Sequence, residues 1–203
     1  MNNSRTIWLF MAAVVLIPVM LFATWQLIEK NFAALPVYDQ EGREVFDFKM
    51  QNQEGRWVSP GEWKNKVVVV NFFFTHCPTI CPKMTNNLKT VSAVYKDDPQ
   101  VQINSFSVDP ERDTVAALKK YAARYNVDAG NWNLVTGDKI EIYRLARKSF
   151  SITATDGDGG PNDFIHSDKL VLLDKAGQIR GYYDGTSETE VKQLINDIKK
   201  LEK

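Results

Sequence analysis

The chain has 203 residues, of which 44% are hydrophobic and 25% are charged, and this size and composition predict one globular domain with an appendage. Lysine plus arginine number 25, and aspartate plus glutamate also number 25. Because the charges balance, the sequence lacks the basic surplus of nucleic-acid-binding proteins, and we expect no nucleic-acid partner.

An uncharged apolar segment, IWLFMAAVVLIPVMLFATWQLI, occupies residues 7–28. It is long enough for the hydrocarbon core of a bilayer, which needs about 20 residues, so it predicts a single transmembrane anchor through which the chain contacts the membrane. A cleaved signal peptide is the alternative, but its apolar region is usually about 7–15 residues long and ends at a small-residue cleavage site. The longer run, with no clean Ala-x-Ala after it, favours an uncleaved anchor.

The charges around this segment predict its orientation. Arg5 precedes it, whereas Glu29 and Lys30 offset each other after it. The positive-inside rule then places residues 1–6 in the cytoplasm and the rest of the chain outside. So short an N-terminus leaves no room for a mitochondrial transit peptide, and we expect the cytoplasmic (inner) membrane of a bacterium with the soluble part on the periplasmic or extracellular side.

We expect residues 29–44 to form a tether and residues 45–203 to form the soluble domain. In residues 45–58, two short alternating segments flank Gln53-Glu54-Gly55, which is typical of a β-hairpin. Residues 67–74 are almost continuously apolar and β-branched. Such a run predicts a central strand that is covered on both faces.

The only two cysteines, Cys77 and Cys81, follow this strand where a helix is expected to begin. On a regular helix their Cβ atoms would lie about 5–6 Å apart, whereas a disulfide needs about 3.5–4.5 Å, so a bridge would be strained and one soft ion between the sulfurs would need less distortion. Pro78 and Pro82 cannot both lie within one undistorted helix, which predicts an irregular first turn. The partial positive charge of a helix N-terminus favours thiolate, and therefore both metal binding and nucleophilic attack. A structural disulfide or two core cysteines remain the alternatives, since this spacing alone is a weak signal.

The rest of the domain alternates strands and helices. We predict strands over residues 101–108, 132–135, 170–173 and 179–183, and helices with apolar faces over residues 84–95, 115–125, 140–150 and 187–201. Asp113 or Thr114 is expected to cap the second helix, and Ile140 to lie on the buried face of the third. Ser187-x-x-Glu190 predicts a capping box at the start of the last. This order predicts an α/β fold of the thioredoxin type, with a central mixed sheet flanked by helices and an N-terminal hairpin extension.

Three motifs, in order, resemble the Sco/SenC family of membrane-anchored, thioredoxin-like copper proteins. They are FFFTHCPTICP at residues 72–82, SVDPERDT at 107–114 and HSDKLVLLD at 166–174, and the resemblance extends from about residue 45 to the C-terminus. It implies that Cys77, Cys81 and His166 bind copper, and that the protein delivers copper to the binuclear site in the second subunit of a respiratory cytochrome c oxidase.

The chemistry of copper and of the residues near the motifs agrees with a three-ligand copper site. Copper(I) is soft, prefers thiolate and accepts three ligands; copper(II) is left open as a second state. Asp163 is a candidate carboxylate to orient the free ring nitrogen of His166. His76, next to Cys77, would point the opposite way in extended chain, so we expect it at the surface. A structural zinc site would need four protein ligands, and the loop at residues 156–160 lacks the pattern of an EF-hand.

The main alternative is an enzyme, a thiol–disulfide reductase that keeps the cysteines of the oxidase subunit reduced. Dedicated thioredoxin-like reductases use Cys-x-x-Cys and a proline before the penultimate strand, whereas residues 165–169 contain no proline. The peroxiredoxin pattern Pro-x-x-x-Thr-x-x-Cys is absent around Cys77. In an oxidising compartment we expect a redox-active disulfide between Cys77 and Cys81, and hence a thiol reductant of the thioredoxin-like class as a second partner.

Overall fold

The structure is a computed structural model of the 203-residue chain and describes residues 3–32, 34–38, 47–152 and 167–202. By its internal contacts the chain divides into two units, Met1–Ala34 and Leu35–Lys203. The first unit contains helix α1 (Asn3–Phe32). Its segment Ile7–Gln26 is long and apolar enough, by length and composition, to cross a membrane.

The second unit is built on a seven-stranded sheet with the order β2-β1-β5-β4-β3-β6-β7. Strands β3, β4 and β5 are parallel, whereas β1, β2, β6 and β7 join the sheet in antiparallel pairs. The predicted hairpin is therefore present as β1 and β2. The strand bounds are β1 (Met50–Asn52), β2 (Trp57–Val58), β3 (Val67–Phe73), β4 (Val101–Ser107), β5 (Trp132–Thr136), β6 (Lys169–Leu173) and β7 (Ile179–Asp184).

Four helices cover the sheet: α2 (Ile80–Val94), α3 (Val115–Tyr125), α4 (Lys139–Arg144) and α5 (Glu188–Leu201). Alternate residues of β3 point to opposite faces, because side chains alternate along a strand. Val67 and Val69 pack into one cluster with the buried residues of α2, α3 and α5. Val68 and Val70 pack into a second cluster with α4. All seven residues of β3 are buried, as predicted for a central strand.

Two local predictions were wrong. Ile140 is 64% exposed, because Asp138 caps α4 by accepting a hydrogen bond from the Glu141 N–H and so leaves Ile140 in the solvated first turn. The chain then continues from Arg144 into a π-helical turn, in which the Phe150 N–H donates to the Leu145 carbonyl. The rest of the predicted buried face is present, since Tyr143, Ala146 and Phe150 are buried.

The start of α5 has only half of the predicted capping box. The Ser187 side chain accepts from the Glu190 N–H, as expected. The Glu190 carboxylate, however, accepts from the Asp184 N–H at 2.6 Å, and the Ser187 N–H donates to the Asp184 carbonyl. The Glu190 carboxylate therefore closes the tight turn after β7 and does not accept from the Ser187 N–H, as the capping box would require.

Candidate metal centre

The two cysteines lie on either side of the start of α2. Cys77 belongs to the loop that leaves β3, and Cys81 is the second residue of the helix. Pro78 precedes the helix and Pro82 is its third residue, so the expected irregular turn is present. The Cys81 N–H points at the Cys77 Sγ, 3.4 Å away. Both thiols are free and buried, with 8% of Cys77 and 2% of Cys81 exposed.

The two thiols have different acidities because of their positions relative to this helix. Burial alone would raise the pKa of Cys77, but hydrogen bonds from the backbone N–H groups of Cys81, Thr79 and Ile80 outweigh it and hold the pKa below its ordinary value. Burial raises the pKa of Cys81 to about 12, and the neighbouring Cys77 adds to the effect. Cys77 is thus the more readily ionised sulfur, and the Cys81 thiol remains protonated near neutral pH.

The loop before Cys77 is held by a buried carboxylate, that of Asp113. One oxygen of Asp113 accepts from the Thr75 N–H at 3.0 Å and from the Ser107 hydroxyl at 2.6 Å. The other accepts from the Thr75 hydroxyl at 2.5 Å. Asp113 is completely buried, so these bonds fix the cysteine loop to the segment that follows β4.

This role of Asp113 was not predicted from the sequence, which suggested only a possible helix cap. The structure makes Thr114 the cap of α3, since its side chain accepts from the Ala117 N–H. Asp113 and Thr75 are 38 residues apart, so local spacing gave no sign of their contact. The position of Asp113 in the family-like SVDPERDT motif was the only signal that could have pointed to it.

His76 lies at the surface, as expected. Its side chain is 53% exposed, and its Nδ1 lies 3.8 Å from the Asp113 carboxylate. The Thr75 hydroxyl is 2.9 Å from the same nitrogen. These contacts place the His76 imidazole beside Thr75 and Asp113.

The other two predicted site residues, Asp163 and His166, lie outside the described residues, so their roles stay predictions. Among the described residues no group of three or more His, Cys, Asp or Glu side chains could hold a metal ion. The strand after His166 is nevertheless informative. β6 pairs antiparallel with β3, and Leu170 lies opposite Asn71. The chain therefore enters β6 at the same end of the sheet at which β3 delivers Cys77.

A mixed sheet whose central parallel strand delivers two cysteines to the start of a helix defines a thioredoxin-like protein. Known relatives make this assignment more specific. The SCO1/SenC family profile matches residues 37–203, and the SCO1 protein homolog of Bacillus subtilis (strain 168) is 36% identical over 165 residues, which cover 80% of this chain and 85% of that protein. The chain belongs to the SCO1/SenC family, which confirms the resemblance found in the sequence.

Solved structures of this family share the fold. BsSco, described with a disulfide switch and as a member of the Sco family of cytochrome c oxidase assembly proteins, has 36% identity and a TM-score of 0.68, covering 81% of this chain and 96% of its own. Bradyrhizobium japonicum ScoI, solved with copper bound, has 25% identity and a TM-score of 0.59, covering 77% of this chain and 98% of its own. The predicted thioredoxin-like fold is therefore confirmed.

Proposed function

We propose that this chain is a membrane-anchored copper chaperone that binds copper through Cys77, Cys81 and His166 and delivers it to a respiratory cytochrome c oxidase. The observation that carries the proposal is the pair of buried thiols on one turn, with the Cys81 N–H 3.4 Å from the Cys77 Sγ. Two adjacent soft donors suit copper(I) better than magnesium, calcium or a four-ligand structural zinc.

The relatives support both the metal and the destination. Bradyrhizobium japonicum ScoI has been solved with copper bound, and BsSco belongs to a family of cytochrome c oxidase assembly proteins. By extension, the acceptor of this chain is the binuclear copper site of the oxidase, and a thioredoxin-like reductant keeps the two thiols available for the metal.

The strand order supports His166 as the third ligand. His166 can approach the cysteines only if β6, which follows it, lies beside β3. The two strands are paired, with Leu170 opposite Asn71. His166 precedes Leu170 by four residues, and four residues of extended chain span at most about 14 Å. An imidazole within that reach completes the three ligands that copper(I) accepts. Asp163 is proposed to orient the other ring nitrogen.

The anchor supports the location. Ile7–Gln26 can cross a membrane by length and composition, and Arg5 before it favours a cytoplasmic N-terminus. The copper site then faces the outer side of the bacterial cytoplasmic membrane, where the cysteines are exposed to oxidation.

A competitive titration tests this proposal. The full chain in detergent micelles is reduced and titrated with copper(I) against a chromophoric chelator, and we expect about one tightly held ion per chain. Loss of a partner that merely orients a metal ligand costs about 10–100-fold in affinity, so His166→Ala should weaken retention by at least that factor. The matched control is His76→Ala, which removes the other histidine of the chain and should retain copper. Equal retention by both variants would refute the role of His166.

A thiol–disulfide reductase is the second candidate, and the different acidities of the two thiols favour it. A thiol with a lowered pKa beside a buried, protonated partner is the arrangement in which one sulfur attacks and the other resolves. His166→Ala separates the two functions. If it abolishes dithiol exchange and leaves copper retention unchanged, His166 is not a copper ligand and the result favours the reductase.

A further inference from the structure

A groove of about 440 Å³ lies beside the cysteine loop. Its wall on one side is the segment before Cys77, and on the other side it is a face of α3 that includes Ala116 and Ala117. The eight described residues that line it are Thr75, His76, Thr114, Ala116, Ala117, Lys120, Tyr121 and Arg124. We call this feature the α3 groove.

The α3 groove is basic. None of its eight described lining residues is acidic, whereas Lys120, Arg124 and His76 are bases. Lys120 and Arg124 are exposed, and neither forms an ion pair with any residue in the described part of the chain. On the same helix, Lys119 does have such a partner, the Glu54 carboxylate at 3.1 Å. Asp113 faces His76, and the Arg124 guanidinium lies 5.4 Å from the centre of the Tyr125 ring, so the cations of the groove that no described carboxylate pairs with are Lys120 and Arg124.

The α3 groove is adjacent to the loop that carries Cys77. His76 lines it, and Cys77 is the next residue. Tyr121 joins the two sites from the other side, since it lines the groove and packs in the same buried cluster as both cysteines. A protein that presents its own cysteines to Cys77 would therefore come close to this groove.

We propose that the α3 groove docks an acidic, extended segment of the protein partner that exchanges copper or electrons with Cys77 and Cys81; this inference rests on the proposed function. Lys120 and Arg124 are one helical turn apart, about 6 Å along the axis. Alternate residues of an extended chain are about 6.6 Å apart. A segment with carboxylates at positions i and i+2, next to the partner's cysteines, therefore matches the two cations, and Ala116 and Ala117 leave space for its backbone.

Two synthetic peptides test the proposal. Each carries one intramolecular disulfide next to either Glu-x-Glu or Gln-x-Gln. Reduced full-length chain in detergent micelles reacts with them by attack of the Cys77 thiolate on one peptide sulfur, which releases a peptide thiolate. The Cys81 sulfur then attacks Cys77 and releases the second, so two electrons pass from the chain to the peptide. Reduced peptide is quantified by mass spectrometry after acid quench.

We expect the wild-type chain to reduce the acidic peptide about tenfold faster than the neutral one at low ionic strength. Lys120→Gln with Arg124→Gln should abolish this preference, and the corresponding double glutamate variant should reverse it, because its carboxylates would repel the acidic peptide. Lys192→Glu, an exposed lysine on α5, is the matched control and should keep the preference. The preference should also disappear at about 1 M salt, where the screening length is about 3 Å.

Persistence of the preference in the double glutamate variant, equal rates for the two peptides with wild type, or no reduction of either peptide would each overturn the proposal. So would a groove that binds lipid headgroups, which would appear as slower exchange in phosphatidylserine nanodiscs for wild type but not for the double variant. Copper(I) retention, measured on the same samples, tests the proposed function separately. A chain that retains no copper but prefers the acidic peptide would refute the chaperone and support the docking groove.

Discussion

Replacing Asp113 by alanine should loosen the cysteine loop and destabilise the soluble domain. The carboxylate is completely buried and accepts three hydrogen bonds, two from Thr75 and one from Ser107. Hydrogen bonds to a charged group contribute about 1.5–3 kcal/mol each, but dehydration of the carboxylate costs several kcal/mol, and the alanine variant avoids that cost. We therefore expect a net loss of about 3 kcal/mol in the free energy of unfolding.

Urea unfolding of the full chain in detergent micelles, followed by tryptophan fluorescence, measures this loss as a shift of the midpoint at unchanged slope. Asp109→Ala is the control, because Asp109 is in the same motif but the only ion pair of its side chain within the described residues is with Arg112, at 3.8 Å. The Arg112 side chain is 62% exposed and that of Asp109 is 17% exposed, and a pair with one exposed partner contributes about 0–1 kcal/mol. If Asp113→Ala and Asp109→Ala cost the same, the buried carboxylate does not hold the loop and our assignment is wrong.

Three further outcomes follow from the structure. Iodoacetamide should modify Cys77 before Cys81 near neutral pH, because the pKa of Cys77 is lowered by backbone N–H groups that outweigh its burial whereas burial raises that of Cys81 to about 12; peptide mapping that finds Cys81 modified first would contradict this order. Copper(I) affinity should rise with pH, because the metal must displace the Cys81 proton, and below a pKa of about 12 each added pH unit increases the fraction of Cys81 thiolate about tenfold. If the copper(I) titration is repeated between about pH 7 and pH 9 and the affinity does not rise, Cys81 is excluded as a ligand. Gly181→Ala should lower the free energy of unfolding in urea by about 1–3 kcal/mol, because the added Cβ would lie 2.6 Å from the Tyr183 hydroxyl, which donates to Asp197. Gly61→Ala is the control, since its Cβ would meet nothing closer than 3.6 Å, and equal losses in the two variants would show that Tyr183 moves freely.

The sequence predicted those parts of the fold in which the residue pattern of a strand, turn or helix depends only on that segment. Residues 67–73 of the predicted run are buried because every side chain of a central strand is covered, and the hairpin around Gln53-Glu54-Gly55 follows from local turn chemistry. The helix predicted over residues 84–95 begins four residues earlier, at Ile80, and Pro78 lies outside it as its chemistry requires. For the same reason, the order of strand, Cys77, turn and Cys81 could be predicted from local sequence alone.

The errors fall where a distant or neighbouring element competes for the same group. The Glu190 carboxylate bonds to the end of β7 instead of to its own helix cap, and the cap that Asp138 provides leaves Ile140 in the solvated first turn of α4. The role of Asp113 depends on Thr75, which comes from a different strand end. Periodicity and capping rules describe one segment at a time, so contacts of this kind need the assembled sheet.

The spacing of the two cysteines explains why their chemistry differs although they are neighbours. With three residues between them, Cys77 remains outside α2 and collects the N–H groups that the first turn leaves without a helical partner, among them that of Cys81. Cys81, inside the helix, turns toward the core and loses hydration instead. Cys77 is thereby suited to meet an incoming metal or disulfide first, and Cys81 to follow once its proton is displaced. In a regular helix that held both thiols, the same backbone N–H groups would act on both. The different acidities therefore depend on the loop position of Cys77, which Asp113 fixes through its hydrogen bonds to Thr75.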